Sequence, residues 1–281
     1  MSFVQVSLAG GLGNRMFEYA FARAYTEKHG LELRCETCIL HKIFDLPPNA
    51  PADRTDILNC HTEYFEEWDG KSEITIRGMA QHQKNLDLYS RTKAREWFKL
   101  RPQYAELVKD VPTMDLVASL RLGDYTYACN PFPWISRESY HDCCDHFGLD
   151  KAKLFFLDGE QHYRIPQIPV QKLWVQLSDT ENGKLAGTEF RLDFLPDLAL
   201  LLRAKILLRA HSTFSWWAAA LGEHERVFCP DVGAVNAADG IRDGVRYPQR
   251  VPFVEGNHKP MSNTKGTSYA NQFSDLNLKE A

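Results

Sequence analysis

The opening thirty-five residues limit the fold most. Phe3–Leu8 is an apolar stretch with β-branched Val4 and Val6, followed by the glycine-rich turn Ala9-Gly10-Gly11-Leu12-Gly13-Asn14. Met16, Phe17, Ala20, Phe21, Ala24 and Tyr25 then recur at steps of three and four, the period of one face of a helix. Gly30 ends that pattern and Leu31–Arg34 starts a second strand. Strand, turn, helix, strand is the start of an α/β domain and is incompatible with an all-β or all-α chain. At about 100–200 residues per domain, 281 residues make one large domain or two modest ones.

The pattern restarts in the second half. Ile74–Arg77 reads as a strand, and about Asn85 to Phe98 as a polar helix. Pro102 and Pro112 bracket a crossover, after which Leu116–Leu120 is a strand and Arg121–Tyr125 a polar turn. Ser136–Phe147 is a helix with Ser136 as its cap and Glu138 in its first turn. Strands are expected at Lys153–Leu157, Gln171–Leu177, Ile206–Leu208 and Arg226–Cys229, and helices at Pro196–Ala204 and Thr213–Leu221. From about Ala234 onward periodicity is weak, and that region reads in part as loop or tail. The division expected is residues 1–112, 113–255 and a tail over 256–281.

Lys and Arg number 33 against 37 Asp and Glu, a formal charge of −4, which argues against a broad nucleic-acid binder. The N-terminus lacks a basic segment and an apolar leader, and the apolar runs near 198–208 and 214–221 are broken or too short to span a bilayer. A cytoplasmic protein is expected, and its seven cysteines are expected to be thiols. Cys35-Glu36-Thr37-Cys38 has redox or half-zinc spacing, but no second pair exists, and Thr37-Cys38-Ile39 reads as strand where a redox motif starts a helix. His141-Asp142-Cys143-Cys144-Asp145-His146 lies in a helix that can align two or three ligands at most. No metal site is expected.

Three segments carry chemistry. Gly10, Gly11 and Gly13 do not complete a dinucleotide fingerprint or a P-loop, yet they suit either a tight turn or close approach of a ligand to the backbone. Arg121 and Asp124 follow a buried strand, where open α/β sheets bind ligands. Arg121 fits a diphosphate or a surface ion pair; Asp124 fits a base or a partner that orients Arg121. Ser212, Thr213 and Ser215 begin a helix, so they cap it or hold phosphate with the free N–H groups there. Trp216 and Trp217 cannot both face one way, and at least one packs between helix and sheet.

Together these segments resemble glycosyltransferase family 11, the bacterial α-1,2-fucosyltransferases and their relatives. The family opening G-G-L-G-N-Q-M-F-Q-Y-A stands here as Gly10 to Ala20, with Arg15 and Glu18 in place of the two glutamines. H-x-R-R-G-D-Y is matched by Ser119 to Tyr125, with Ser119 for the histidine and Leu122 for the second arginine. The third signature falls on Asp197–Lys205 and His211–Leu221, with His211 for an asparagine and Ala220 for the last tryptophan. The family's acidic pair is reduced to Asp158-Gly159. The resemblance spans about residues 1–230.

The resemblance implies an α/β, GT-B-like fold of two facing Rossmann-like domains with a central cleft. The N-terminal domain would help bind the acceptor and the C-terminal domain would hold the nucleotide sugar. It implies transfer of fucose from GDP-fucose to a glycan hydroxyl, with inversion and without a metal or cofactor, in polysaccharide biosynthesis. Arg121 would bind the donor diphosphate; Ser212, Thr213 and Ser215 would line the same phosphates. Gly11, Gly13 and Asn14 would approach the donor or acceptor, and Asp158 the ribose or guanine. Glu18 and Asp124 are the candidate bases. The partners implied are a nucleotide sugar and a glycan acceptor, with no nucleic acid and no transmembrane segment; peripheral membrane contact stays open. Alternatives are another nucleotide sugar or acceptor, a sugar-nucleotide or glycan-binding protein without turnover, and, behind both, a nicotinamide-dependent oxidoreductase.

Overall fold

The computed structural model describes residues 2–36, 38–47, 74–76, 78, 80–127, 132–157, 174–176, 189–191, 194–257 and 278–279. The chain forms two compact units, Met1–Lys109 with Pro169–Leu192 and Leu278–Ala281, and Asp110–Ile168 with Asp193–Asn277. The units are therefore not two consecutive stretches. Lys279 bridges to Ser90 and its ammonium meets Asp87 at 3.1 Å, so the described end of the chain rests on the first unit.

In the first unit β1 (Phe3–Val6) leads into α1 (Leu12–His29), β2 (Glu32–Cys35), α2 (Ile39–Ile43), β3 (Ile74–Ile76), α3 (Gln83–Leu86), α4 (Arg91–Trp97) and α5 (Pro102–Leu107). β1 lies centrally, parallel to β2 on one side and β3 on the other. α1 forms because its apolar residues repeat at helical spacing, and Met16, Phe17, Ala20 and Phe21 are buried. It stops at Gly30, whose φ of 64° is left-handed and disfavoured for a residue with a Cβ.

Two readings of this unit are corrected. The polar stretch 85–98 is not one helix: α3 ends at Leu86, and Ser90 starts α4 afresh by accepting the Lys93 N–H at 3.2 Å. Cys38 is not on a strand but is the N-cap of α2, because Ile39, Leu40 and Ile43 find burial on one face of a short helix.

The second unit starts with β4 (Leu116–Ser119), a 3₁₀ turn over Gly123–Thr126, α6 (Arg137–Phe147) and β5 (Leu154–Leu157). The antiparallel pair β6 (Trp174–Gln176) and β7 (Glu189–Arg191) falls in the first unit. The second unit resumes with α7 (Phe194–Arg203), β8 (Ile206–Leu208), α8 (Thr213–Leu221), β9 (Arg226–Pro230), the hairpin β10 (Ile241–Arg242) and β11 (Val245–Arg246), and β12 (Phe253–Glu255). Its sheet has the order β12-β9-β8-β4-β5, parallel except for β12 at one edge. Weak periodicity after about Ala234 marks none of these late strands; β12 is only three residues long and exists because β9 offers it a ladder.

Side chains alternate across this sheet. Leu116, Ala118, Leu208 and Phe228 share a cluster with Tyr140, Cys143 and Cys144 of α6 and Phe253 of β12. Right-handed crossovers in opposite directions place α8 on the other face. α8 is buried nearly all round: Trp216 and Trp217 are both fully buried and meet edge to face at 5.0 Å. Ser136 stands at the N-cap of α6 as expected, but its hydroxyl pairs with Ser139 Oγ at 3.3 Å and makes no capping bond.

Candidate functional site

In each unit the winding of the sheet reverses beside its first strand, between β1 and β3 and between β4 and β8. The carboxyl ends of such strand pairs are where open α/β sheets bind ligands. The candidate residues of the sequence fall into two groups at these two places.

In the second unit, the chain leaving β4 carries Arg121, exposed, with its guanidinium carbon 5.3 Å from the centre of the Tyr125 ring. Tyr125 is buried, donates its hydroxyl proton to the His211 carbonyl at 2.7 Å, and stacks on Phe132 at 5.9 Å. Phe132 in turn packs on the His211 ring at 4.8 Å. The turn after β4 is thereby fastened to the segment between β8 and α8. Asp124 belongs to the 3₁₀ turn, but its side chain lies outside what is described, and Asp158 lies outside the described residues.

At the start of α8 the three hydroxyls divide their work. Ser212 is the N-cap and its Oγ accepts the Ser215 N–H at 3.2 Å. Ser215 is fully buried; its hydroxyl reaches the Ala210 carbonyl at 2.8 Å and Ser212 Oγ at 3.0 Å. Ser215 therefore braces the loop from within, while Ser212 and Thr213 are partly exposed at the helix start. The first N–H groups of this nine-residue helix favour an anion there. Arg209, one residue past β8, is fully buried, and its guanidinium donates to Asn257 Oδ1. Burial pushes that guanidinium down to about 10. Tyr125 has no role from sequence, and Arg209 stands there only as a positive charge that, like Arg15, could compensate for Leu122 beside Arg121. The tyrosine ends the quoted motif, whereas nothing in the sequence marks Arg209 as buried.

In the first unit, the turn after β1 brings together Gly10, Gly11, Gly13, Asn14, Arg15 and Glu18. Gly10 has φ +74°, and a Cβ there would stand 2.7 Å from Asn14 Nδ2, so glycine is required by the turn itself. Gly11 is different: its φ is −73° and a Cβ would meet nothing within 4 Å, so the fold leaves open space beside it. Asn14 Oδ1 accepts from Gln81 Nε2 at 3.1 Å, a partner that sequence spacing did not suggest.

Glu18 is 1% exposed, and its Oε2 accepts the Ala9 N–H at 2.7 Å. Burial pushes its carboxyl up to about 8, against the smaller opposing pull of the Ala9 N–H and Arg15. The group is neutral at pH 7 and holds the turn from below. Because its folded value is raised, its stabilisation is full below the ordinary value of 4.5 and is lost as pH rises through 8. Relative to Glu18→Gln, the natural protein should lose about 1.4 kcal/mol per pH unit across that window and change little above it. Melting curves from pH 4 to 9 check this; parallel curves for the two proteins would refute it.

The cysteine motifs resolve separately. Cys35 Sγ lies 3.5 Å from His41 Nε2, and Cys38 Sγ 3.7 Å from His41 Nδ1, with burial raising both thiols. In the 141–146 stretch Cys143 and Cys144 point into the core, while Asp142 pairs with Arg250 at 2.6 Å. Among the described residues no three His, Cys, Asp or Glu side chains are placed to hold a metal ion. No described helix is long and apolar enough to cross a membrane.

No family model matches the chain, and no curated protein matches it. Solved structures do. A mutant of Arabidopsis thaliana FUT1 in complex with GDP is 12% identical with a TM-score of 0.50, covering 98% of this chain and 78% of that one. NodZ α-1,6-fucosyltransferase soaked with GDP-fucose is 14% identical with a TM-score of 0.49, covering 91% of this chain and all of that one. A selenomethionine NodZ from Bradyrhizobium is 13% identical, again at 0.49, over 91% and 99% of the two chains. The chain has the α/β fold of the GT-B class.

Proposed function

We propose that the chain is a fucosyltransferase-like glycosyltransferase that moves fucose from GDP-fucose to a glycan hydroxyl, inverting the anomeric carbon in the α-1,2 manner and using no metal or cofactor. The observation that carries this reading is the pairing, at the carboxyl ends of β4 and β8, of exposed Arg121 with the partly exposed start of α8, the two linked through Tyr125. A forked cation and a helix N-terminus together suit a diphosphate. The GDP held by the FUT1 mutant supports the choice of nucleotide. In this reading the second unit takes the nucleotide sugar and the first unit contributes to the acceptor side.

In the transfer, the acceptor oxygen attacks the anomeric carbon as the bond from that carbon to the diphosphate breaks. The bonding pair leaves with the diphosphate, and the acceptor proton passes to a base. Arg121 and the N–H groups of α8, aided by Ser212 and Thr213, stabilise the charge that grows on the leaving group. Asp124 is the base of this proposal. Glu18, neutral and buried, acts by positioning Gly11, Gly13 and Asn14 through the Ala9 backbone. Asp158 remains the candidate for the ribose or guanine. The protein would work in the cytoplasm, with membrane contact at most peripheral.

Leu122 in place of a second arginine favours a second reading, in which nucleotide sugar binds without turnover. Metal-free titration calorimetry with GDP, GDP-fucose, GDP-mannose and UDP-glucose tests both. Micromolar binding of GDP and GDP-fucose, with UDP-glucose silent, is the expected result. Binding with no transfer to any glycan would favour the second reading. If no guanine nucleotide binds, both fall.

A further inference from the structure

Among the described residues two non-glycines hold a left-handed φ, Ala80 and Asp243, each at 51°. Asp243 precedes Gly244, with φ 75°, at the turn between β10 and β11, where a tight hairpin asks for such values. Ala80 turns no hairpin. It lies between β3 and α3, past the carboxyl end of β3, in the first unit. A residue with a Cβ keeps that conformation only where its surroundings hold it, and such positions gather at functional sites.

The surroundings of Ala80 are polar and buried. Asn85, 2% exposed, donates from Nδ2 to the Ala80 carbonyl at 3.2 Å. The turn held in this way carries Gln81, 6% exposed, whose Nε2 donates to Asn14 Oδ1 at 3.1 Å, 67 residues away in the chain. β1 and β3 are parallel neighbours, and the Ser7 N–H meets the Ile76 carbonyl at 3.2 Å, so the chain leaves both strands side by side. Asn14 is held by its oxygen, and that fixes where its nitrogen stands: Nδ2 lies 2.7 Å from the place a Cβ of Gly10 would take. Gly10 and Gly11 are exposed, Asn14 is half-buried, and the space beside Gly11 is open. A buried glutamine thus decides which end of a partly exposed amide faces the glycine turn.

We propose that Gln81 is a positioning residue: by holding Asn14 Oδ1 it presents the Asn14 amide nitrogen at the glycine turn, as a donor to a hydroxyl oxygen of the glycan acceptor. An amide N–H is an uncharged donor of fixed direction, and the neutral oxygens of a sugar suit it. Arg15 Nε holds the Gly10 carbonyl at 3.0 Å, which steadies the backbone beside that nitrogen. This role deepens the transferase reading and rests on it for the statement that the bound sugar is the acceptor.

The test is titration of the full chain with galactose-, glucose- and N-acetylglucosamine-terminated trisaccharides, read by saturation-transfer NMR, with GDP calorimetry and melting curves on the same samples. The proteins are the natural one, Gln81→Met, Asn14→Asp, Asn14→Ala and the double variant Asn14→Ala/Gln81→Met. At least one trisaccharide should bind, and Gln81→Met should weaken it about tenfold, the loss of one hydrogen bond. Asn14→Asp keeps an oxygen for Gln81 and puts a second oxygen where the nitrogen stood. It should weaken the sugar as much while melting like the natural protein. In the Asn14→Ala background Gln81→Met should change sugar affinity no further, because it acts through Asn14. GDP affinity should be the same throughout. The role is overturned if no trisaccharide binds, if Gln81→Met or Asn14→Asp binds sugar like the natural protein, if the Gln81→Met loss persists in the Asn14→Ala background, or if GDP affinity falls in place of sugar affinity. Sugar binding that follows Gln81 and Asn14 in a protein that binds no GDP would keep this role and sink the transferase.

Discussion

If the proposed donor site is right, replacing Arg121 with alanine should lower affinity for GDP at least about 100-fold, or about 2.7 kcal/mol. The side chain is exposed and lies over the Tyr125 ring, a contact worth about 0.5–1 kcal/mol at an exposed position. Its removal should therefore move the melting temperature little. The affinity loss is larger because a fork of donors to a diphosphate makes two charge-assisted bonds, each worth about 1.5–3 kcal/mol. Arg121→Lys keeps the charge and loses the fork, so it should recover part of the affinity. Calorimetry of the three proteins at fixed salt decides the matter. Equal GDP affinity in the natural and alanine proteins would remove Arg121 from the site and, with it, the main support for a nucleotide-sugar donor.

The second large effect is on stability. Trp216→Ala should cost about 3–5 kcal/mol, the usual range for removing a fully buried aromatic. Trp216 has no exposed surface, and its ring meets Trp217 edge to face, so the variant opens a cavity beneath the sheet that the neighbouring Ala218, Ala219 and Ala220 are too small to fill. For a unit of this size, a loss of that order lowers the melting temperature by about 10 °C. The Trp216 carbonyl also accepts from Asn257 Nδ2 at 3.4 Å, and Asn257 holds Arg209, so loosening of α8 reaches the chain beside the candidate site. Differential scanning calorimetry reads the result. A shift of only a degree or two would mean that α8 is not the packed centre of its unit.

Much of this molecule was legible before any coordinates. The β1–α1–β2 start declared itself because alternation, a glycine turn and a three-to-four repeat follow one another without ambiguity. The same holds for β4, α6, β8 and α8, whose apolar residues face partners set by periodicity alone. The three motifs also fall at the carboxyl ends of parallel strands. Arg121 and the start of α8 sit at one switch point, and the glycine turn sits at another, because residues that end parallel strands are placed there by topology.

Other features depended on contacts between distant segments, which local pattern does not carry. Cys38 begins a helix because Ile39, Leu40 and Ile43 find a buried face, not because its neighbours favour helix. β12 exists only as the partner of β9. Ser215 was indistinguishable from Ser212 by type and position, yet one hydroxyl turns inward to Ala210 while the other caps the helix. Glu18 was a candidate base of the transfer that the resemblance implies, whereas its burial and its bond from the Ala9 N–H make it a brace of the turn. Arg246 carried no signal, and its burial against two carbonyls is what fastens the β10–β11 hairpin to the Arg121 loop. Sequence by itself determined the fold class and the order of its main elements, since both follow from short-range periodicity. Which candidate side chain stands exposed and which braces the backbone was decided by tertiary structure, because burial and hydrogen-bond partners come from residues far apart in the chain.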